Sequence, residues 1–143
     1  MRMRRMKNLD VRMERCAALR IAEPAALKGN WRSLKPDASA LWVEVGCGKG
    51  KFTAETAAAN PDVLMIAVER CREAMVVAME KAQSMKLTNV FYIDMDVANI
   101  EEIFAGEEID RLFINFPDPW PRKKSLYRKH FPFLPFLQHV LLP

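Results

Sequence analysis

Histidine and cysteine are scarce in this chain. Its 143 residues include two histidines, His130 and His139, and three cysteines, Cys16, Cys47 and Cys71. No CxxC pair occurs among them, so we expect neither a metal site nor a disulfide framework. An odd number of widely spaced thiols is typical of a protein kept in the reducing cytoplasm.

Long apolar runs are also absent. No stretch reaches the length of a transmembrane helix, and the Arg-rich start is not followed by the apolar segment of a secretory signal. A chain of this length can build one domain with a core of its own. We therefore expect a cytoplasmic protein with no membrane partner.

Charge is distributed unevenly along the chain. Residues 1–35 hold ten Lys/Arg and three Asp/Glu, residues 36–120 hold seven and fifteen, and residues 121–143 hold five and none. Each basic end by itself can be an ordinary solvated surface. Together, around an acidic middle, they indicate a polyanionic partner held at the rim of a cation-binding site. We divide the chain accordingly into a basic N-terminal arm, residues 1–35, and a ligand-binding domain, residues 36–143.

Four short apolar runs follow the arm, at residues 41–45, 65–69, 90–94 and 111–115. Each has the length and the β-branched or aromatic content of a buried strand. Helical patterns lie between them: one over 52–59, a short one around 100–104, and one whose apolar face comprises Ala74, Met75, Ala78, Met79, Ala82 and Met85. This alternation predicts an α/β, Rossmann-like fold with a parallel sheet.

No fifth strand is visible after residue 115, where the chain becomes rich in proline and basic residues. The predicted sheet therefore leaves its last strand unpaired. An unpaired strand edge is open to another chain, so self-association through this edge is possible.

Ligands of open parallel sheets bind beyond the carboxyl ends of the strands. The first strand ends in a glycine loop, VGCGKG at residues 45–50, where Gly46 and Gly48 allow a sharp turn and a close ligand. Such a loop can also be a purely structural turn. Glu69 ends the second strand, 23 residues after Gly46, where a carboxylate can accept hydrogen bonds from ribose hydroxyls. A surface Glu that opens the next helix is the alternative.

Acidic residues at the strand ends distinguish between two cofactors. Glu44, Glu69, Asp96 and Asp118 are all expected at one crevice. They would repel the pyrophosphate of a nicotinamide dinucleotide and attract a sulfonium group. The charges therefore favour S-adenosylmethionine, although an NAD-dependent oxidoreductase shares the pattern of strand, glycine loop and acid.

A proline-framed loop, NFPDPWP at residues 115–121, leaves the fourth strand. Its prolines fix φ and end the strand, which would hold Asp118 in one orientation. Trp120 offers a flat face to a base, and the basic residues at 122–124 can contact phosphates. A rigid structural loop with the tryptophan as apolar filler remains the alternative.

At these residues the sequence resembles the bacterial tRNA (guanine-N7)-methyltransferase family. The similarity runs from about residue 2 to residue 124, and the proline-framed loop is its most specific part. The matching segments are RMR at 2–4, KGNW at 28–31, EVGCGKGKF at 44–52, NPD at 60–62, AVE at 67–69, IDR at 109–111 and NFPDPWP at 115–121.

The resemblance implies a class I methyltransferase fold that lacks its C-terminal strands, with S-adenosylmethionine as cofactor and tRNA as partner. It implies that Arg122, where the family usually has Lys, contacts the tRNA. For such a reaction we expect Asp118 to be catalytic, because its carboxylate can stabilise the positive charge that moves to the guanine. A truncated, non-catalytic remnant that binds RNA or S-adenosylmethionine is the other reading. The implied cofactor contacts are Glu44, Gly46, Gly48, Glu69, Asp96 and Asp118.

Overall fold

A parallel β-sheet forms the centre of the protein. The computed structural model describes residues 6–114 and the backbone of residues 138–139. The strands are β1 (Ala40–Val45), β2 (Val63–Val68), β3 (Val90–Ile93), β4 (Arg111–Ile114) and β5 (Gln138–His139). Their order is β3-β2-β1-β4-β5, and all neighbours are parallel. This is the strand order of doubly wound nucleotide-binding folds, so the predicted α/β Rossmann-like class is confirmed.

The prediction that no further strand pairs with β4 is wrong. Backbone at residues 138 and 139 pairs with Phe113 and Ile114, so β4 has a neighbour on each side. A pair of only two residues leaves almost no pattern in the sequence. At the opposite edge, the Ile21 N–H donates to the Tyr92 carbonyl oxygen at 2.9 Å, which partly covers β3. Self-association stays a prediction, but it no longer has an unpaired β4 to support it.

Helical segments lie between the strands, as the alternating pattern predicts. The α-helices are α1 (Leu9–Arg15), α2 (Lys51–Ala59) and α3 (Arg72–Ser84), and the 3₁₀ helices are Ala17–Leu19, Pro24–Leu27, Trp31–Leu34 and Val97–Glu102. The predicted apolar face of α3 is buried except at its last member. Met85 caps the helix and is 43% exposed. Lys86 follows with a left-handed φ of 58°, which ends the helix. Met85 therefore does not continue the buried face of α3.

Alternate strand residues face opposite sides of the sheet, and each side has its own core. Leu41, Val43 and Ile66 belong to the side covered by 3₁₀ segments. Met65 and Ala67 belong to the side covered by α2 and α3. The chain moves in the same direction across the sheet from β1 to β2 and from β2 to β3. The two crossover helices, α2 and α3, therefore lie on one face.

Trp31, in the motif KGNW of the predicted arm, is a core residue. It is fully buried, stacks on Phe104 with 4.9 Å between ring centroids, and donates from Nε1 to the Ile103 carbonyl oxygen. The Glu108 carboxylate accepts the Gly29 and Trp31 N–H groups at 3.0 and 3.2 Å. This part of the arm is therefore attached to the body. The division at residue 35 stays a prediction.

Ion pairs also attach the arm to the rest of the chain. Of the seven Lys/Arg residues between positions 6 and 35, four pair with carboxylates. Their charge is partly neutralised within the protein and is correspondingly less available to a polyanion. The pairs are Arg12–Glu80, Arg20–Asp94, Arg32–Asp110 and Lys35–Asp37.

Candidate functional site

The glycine loop turns sharply between β1 and α2. Gly46, Gly48 and Gly50 all have left-handed φ values, of 77°, 56° and 83°. The third has a packing reason as well, because a Cβ at Gly50 would lie 2.5 Å from the Ala78 Cβ of α3. A side chain there would separate the start of α2 from α3. The loop therefore needs glycine for conformation and, at Gly50, for space.

Glu69 ties two strand ends together. Its Oε1 accepts the Gly48 N–H at 2.9 Å, and its Oε2 accepts the Cys71 N–H at 2.8 Å. The Gly46 N–H donates to the Val68 carbonyl oxygen at 2.8 Å, which adds a second connection between the same loops. Each carboxylate oxygen keeps a lone pair that a ribose hydroxyl can use. Glu69 can thus hold the loop and accept a ligand simultaneously.

A small cavity of about 230 Å³ opens at the carboxyl ends of β1, β2 and β3. Three of the predicted cofactor residues, Gly46, Glu69 and Asp96, line it together. Asp96 also caps the following 3₁₀ helix, where its Oδ1 accepts the Ala98 N–H at 3.0 Å. The lining residues are Val45, Gly46, Val68, Glu69, Arg70, Met95, Asp96 and Val97.

Glu44 lies beside this cavity but does not line it. Its side chain is fully buried on the α2 side of the sheet, where the Thr53 hydroxyl donates to Oε1. Its Oε2 is buried and has no hydrogen-bond partner among the described residues. Direct contact between Glu44 and a cofactor stays a prediction.

Burial controls the charge of Glu44. Loss of hydration raises the pKa of this carboxyl to about 7; the hydrogen bond from Thr53 opposes the rise, and the nearby charge of Glu69 adds to it. The same burial, together with Glu44 and Glu69, raises the pKa of the Cys47 thiol well above its ordinary value. The glycine loop therefore covers an acid whose charge depends on pH near neutrality.

Asp94, the other acid at the end of the third strand, is occupied by arginines. Its Oδ1 accepts from Arg20 Nε at 2.9 Å and its Oδ2 from Arg20 Nη2 at 3.3 Å. Arg72 Nε lies 3.6 Å from Oδ2. These contacts connect the N-terminal segment to the start of α3, so Asp94 has a structural role here.

Two predicted site residues, Asp118 and Arg122, lie outside the described residues, and so do Trp120 and the rest of the proline-framed loop. Sequence reasoning missed two others. Thr53, which holds Glu44, is a lone hydroxyl on the apolar face of α2, and that was the only signal. Arg70 lines the cavity simply because it follows Glu69, and its Nη1 lies 3.9 Å from Asp96 Oδ2.

Residues 38–131 match a protein-family model described as "Putative methyltransferase". The chain belongs to this methyltransferase family. The match covers β1 to β4, the glycine loop and the proline-framed loop. It confirms the methyltransferase assignment expected from the sequence and supports S-adenosylmethionine as the cofactor.

Curated relatives of this chain carry the name tRNA (guanine-N(7)-)-methyltransferase. The protein of Halalkalibacterium halodurans is 41% identical over 109 residues, which are 76% of this chain and 50% of the relative. The protein of Bacillus subtilis is 33% identical over 129 residues, which are 90% of this chain and 61% of the relative. The chain thus spans only half to three fifths of the length of these relatives.

Solved methyltransferase structures share the fold. An antibiotic-related methyltransferase superposes with a TM-score of 0.57 at 14% identity, over 71% of this chain and 54% of that one. Phosphoethanolamine N-methyltransferase 2 of Haemonchus contortus, solved in complex with S-adenosyl-L-methionine, gives 0.53 at 17% identity, over 80% and 28%. These likenesses confirm the class I methyltransferase fold.

Residues 6–114 contain neither a metal-binding cluster nor a membrane-spanning helix. No group of three or more His, Cys, Asp or Glu side chains in this range could hold a metal ion. None of the helices described there is long and apolar enough to cross a bilayer.

Proposed function

We propose that this chain is the cofactor-binding part of an S-adenosylmethionine-dependent tRNA (guanine-N7)-methyltransferase of the cytoplasm. The observation that carries the proposal is the cavity at three adjacent strand ends, where Gly46, Glu69 and Asp96 meet. The proposed substrate, a guanine of tRNA, is taken from the names of the curated relatives.

The charges of the cavity fit a cationic nucleoside. Glu69 and Asp96 present carboxylates to it, and Glu44 adds a buried charge beneath the glycine loop when ionised. A sulfonium is attracted by this arrangement, whereas a pyrophosphate is repelled. Among residues 6–114, Arg70 is the only basic side chain that lines the cavity, and it is 81% exposed.

Each residue has a distinct task in this proposal. Glu69 would accept hydrogen bonds from the ribose, and Gly46 and Gly48 would let the nucleoside approach the backbone. Asp96 would lie near the adenine end. When bound, the cofactor supplies a methyl group activated by a positively charged sulfur.

Guanine N7 carries a lone pair in the plane of the ring, so the protein needs no general base. Its task is to align N7 with the methyl donor, and alignment of this kind can contribute about 7–11 kcal/mol. Asp118 would accept hydrogen bonds from the guanine edge and stabilise the positive charge that grows on the base. Trp120 would stack on the base, and Arg122 would contact a tRNA phosphate.

We expect Asp118→Asn to lower methyl transfer to tRNA by about 10²- to 10³-fold, because one charged acceptor at the reacting base is lost. The measurement uses the full chain, bulk tRNA and labelled S-adenosylmethionine, followed by nucleoside analysis. Asp37→Asn is the matched control, since its side chain is 83% exposed and its only described ion-pair partner is Lys35.

The nucleoside recovered decides the substrate. Methylated guanosine labelled at N7 supports the proposal. A methylated adenosine or cytidine would move the assignment to another base. Cofactor binding without any transfer to tRNA would favour the non-catalytic reading.

A further inference from the structure

A polar row crosses the sheet beneath α2 and α3. Glu44 of β1 pairs in register with Ala67 of β2, and Ala67 pairs with Tyr92 of β3. Residues in register on neighbouring parallel strands face the same side of the sheet. Glu44 and Tyr92 are therefore two strands apart in one row, with Ala67 of β2 between them.

Both polar ends of this row lack partners. The Glu44 Oε2 and the Tyr92 hydroxyl are the two buried side-chain oxygen or nitrogen atoms without a hydrogen bond in the described part of the chain. Both residues are fully buried. An unpaired buried polar atom costs about 1–3 kcal/mol, so two in one row call for an explanation.

The charge of Glu44 acts on the hydroxyl of Tyr92. Burial is the main reason that the pKa of Tyr92 rises, and the charges of Cys47 and Glu44 raise it further. The groups that face Glu44 are Thr53 from α2, Glu69 from the end of β2, Cys47 from the glycine loop and Tyr92 from β3. Of these, Tyr92 alone offers a donor that has no other acceptor among the described residues.

We propose that Tyr92 is a positioning residue, whose hydroxyl donates to the Glu44 Oε2 through one buried water. The two atoms are not in direct hydrogen-bond contact, and a bridging water gains its necessary polar partners from them. Thr53 and Tyr92 would then hold the carboxylate from two sides. The link stabilises the ionised form of Glu44 and orients it under the glycine loop. Its consequence for the cofactor rests on the function proposed above.

Tyr92→Phe tests this link, because it removes the hydroxyl and keeps the ring. The measurement is the titration of the Glu44 side-chain carboxyl by carbon NMR in the full chain without cofactor. Loss of a hydrogen bond to a charged group should raise the Glu44 titration midpoint by about one to two pH units. The same variant should move the pH profile of S-adenosylmethionine binding by a similar amount.

Two controls separate this role from mere packing. In a Glu44→Gln background, Tyr92→Phe should no longer change the pH profile of cofactor binding, because the coupled group is gone. An unchanged Glu44 midpoint in Tyr92→Phe would overturn the proposal, most clearly if the variant also becomes more stable by losing an unpaired hydroxyl. A shifted midpoint without any cofactor binding would contradict the proposed function and leave the link intact.

Discussion

Glu44→Gln is expected to gain stability relative to the wild-type chain as the pH rises. In the folded protein the pKa of Glu44 is about 7, against an ordinary value of 4.5. The folded state therefore holds a proton that the unfolded state has lost, and the wild-type chain loses stability between those two values. From pH 5 to pH 8 the difference amounts to about 2–3 kcal/mol. Urea unfolding of both proteins across this range is the measurement.

The direction of this effect matters more than its size. A carboxylate stabilised by a cation would have a lowered pKa, and its effect on stability would have the opposite sign and fall below about pH 5. The pH dependence of the other acids cancels in the comparison, because both proteins contain them. A stability difference that stays constant from pH 5 to pH 8 would show that Glu44 is ionised throughout and is not controlled by burial.

Gly50→Ala is the second change with a large expected effect. The new Cβ would lie 2.5 Å from the Ala78 Cβ and 2.8 Å from the Ala78 Cα, and the residue has a φ of +83°. Overpacking and backbone strain each cost about 1–3 kcal/mol, so a loss of about 2–5 kcal/mol is expected. Denaturant unfolding measures it.

Gly29→Ala separates the two causes. Its φ of +81° is nearly the same, but nothing lies within 4 Å of its added Cβ. Gly29→Ala should therefore lose only the stability that the strained backbone conformation costs. If Gly50→Ala costs no more than Gly29→Ala, the close approach of α2 and α3 does not constrain the glycine loop.

The fold could be predicted where a local pattern decides the structure. The apolar runs of β1 to β4 differ from the observed strands by at most two residues at either end, because buried strands need continuous apolar sequence. Local patterns failed where tertiary contacts decide. The pairing of residues 138–139 with β4 and the burial of Trp31 against Phe104 depend on residues far apart in the chain.

The candidate site, too, could be predicted only in part. Gly46, Glu69 and Asp96 could be predicted to meet, because the carboxyl ends of parallel strands share one edge. Periodicity alone could not reveal that Glu44 is buried beside the cavity and held by Thr53, since that depends on packing between β1 and α2. The ion pair between Arg20 and Asp94 likewise depends on the N-terminal segment, which no local pattern places beside the end of β3.

The most direct test is equilibrium dialysis of the full chain against labelled S-adenosylmethionine and labelled NAD. We predict that S-adenosylmethionine binds more tightly than NAD. Glu69→Gln should weaken S-adenosylmethionine binding by about 10- to 100-fold, since its amide cannot accept from both the Gly48 and the Cys71 N–H groups. Glu55→Gln, on the exposed face of α2, should leave binding unchanged. Equal or tighter binding of NAD would contradict an acidic crevice built for a sulfonium nucleoside.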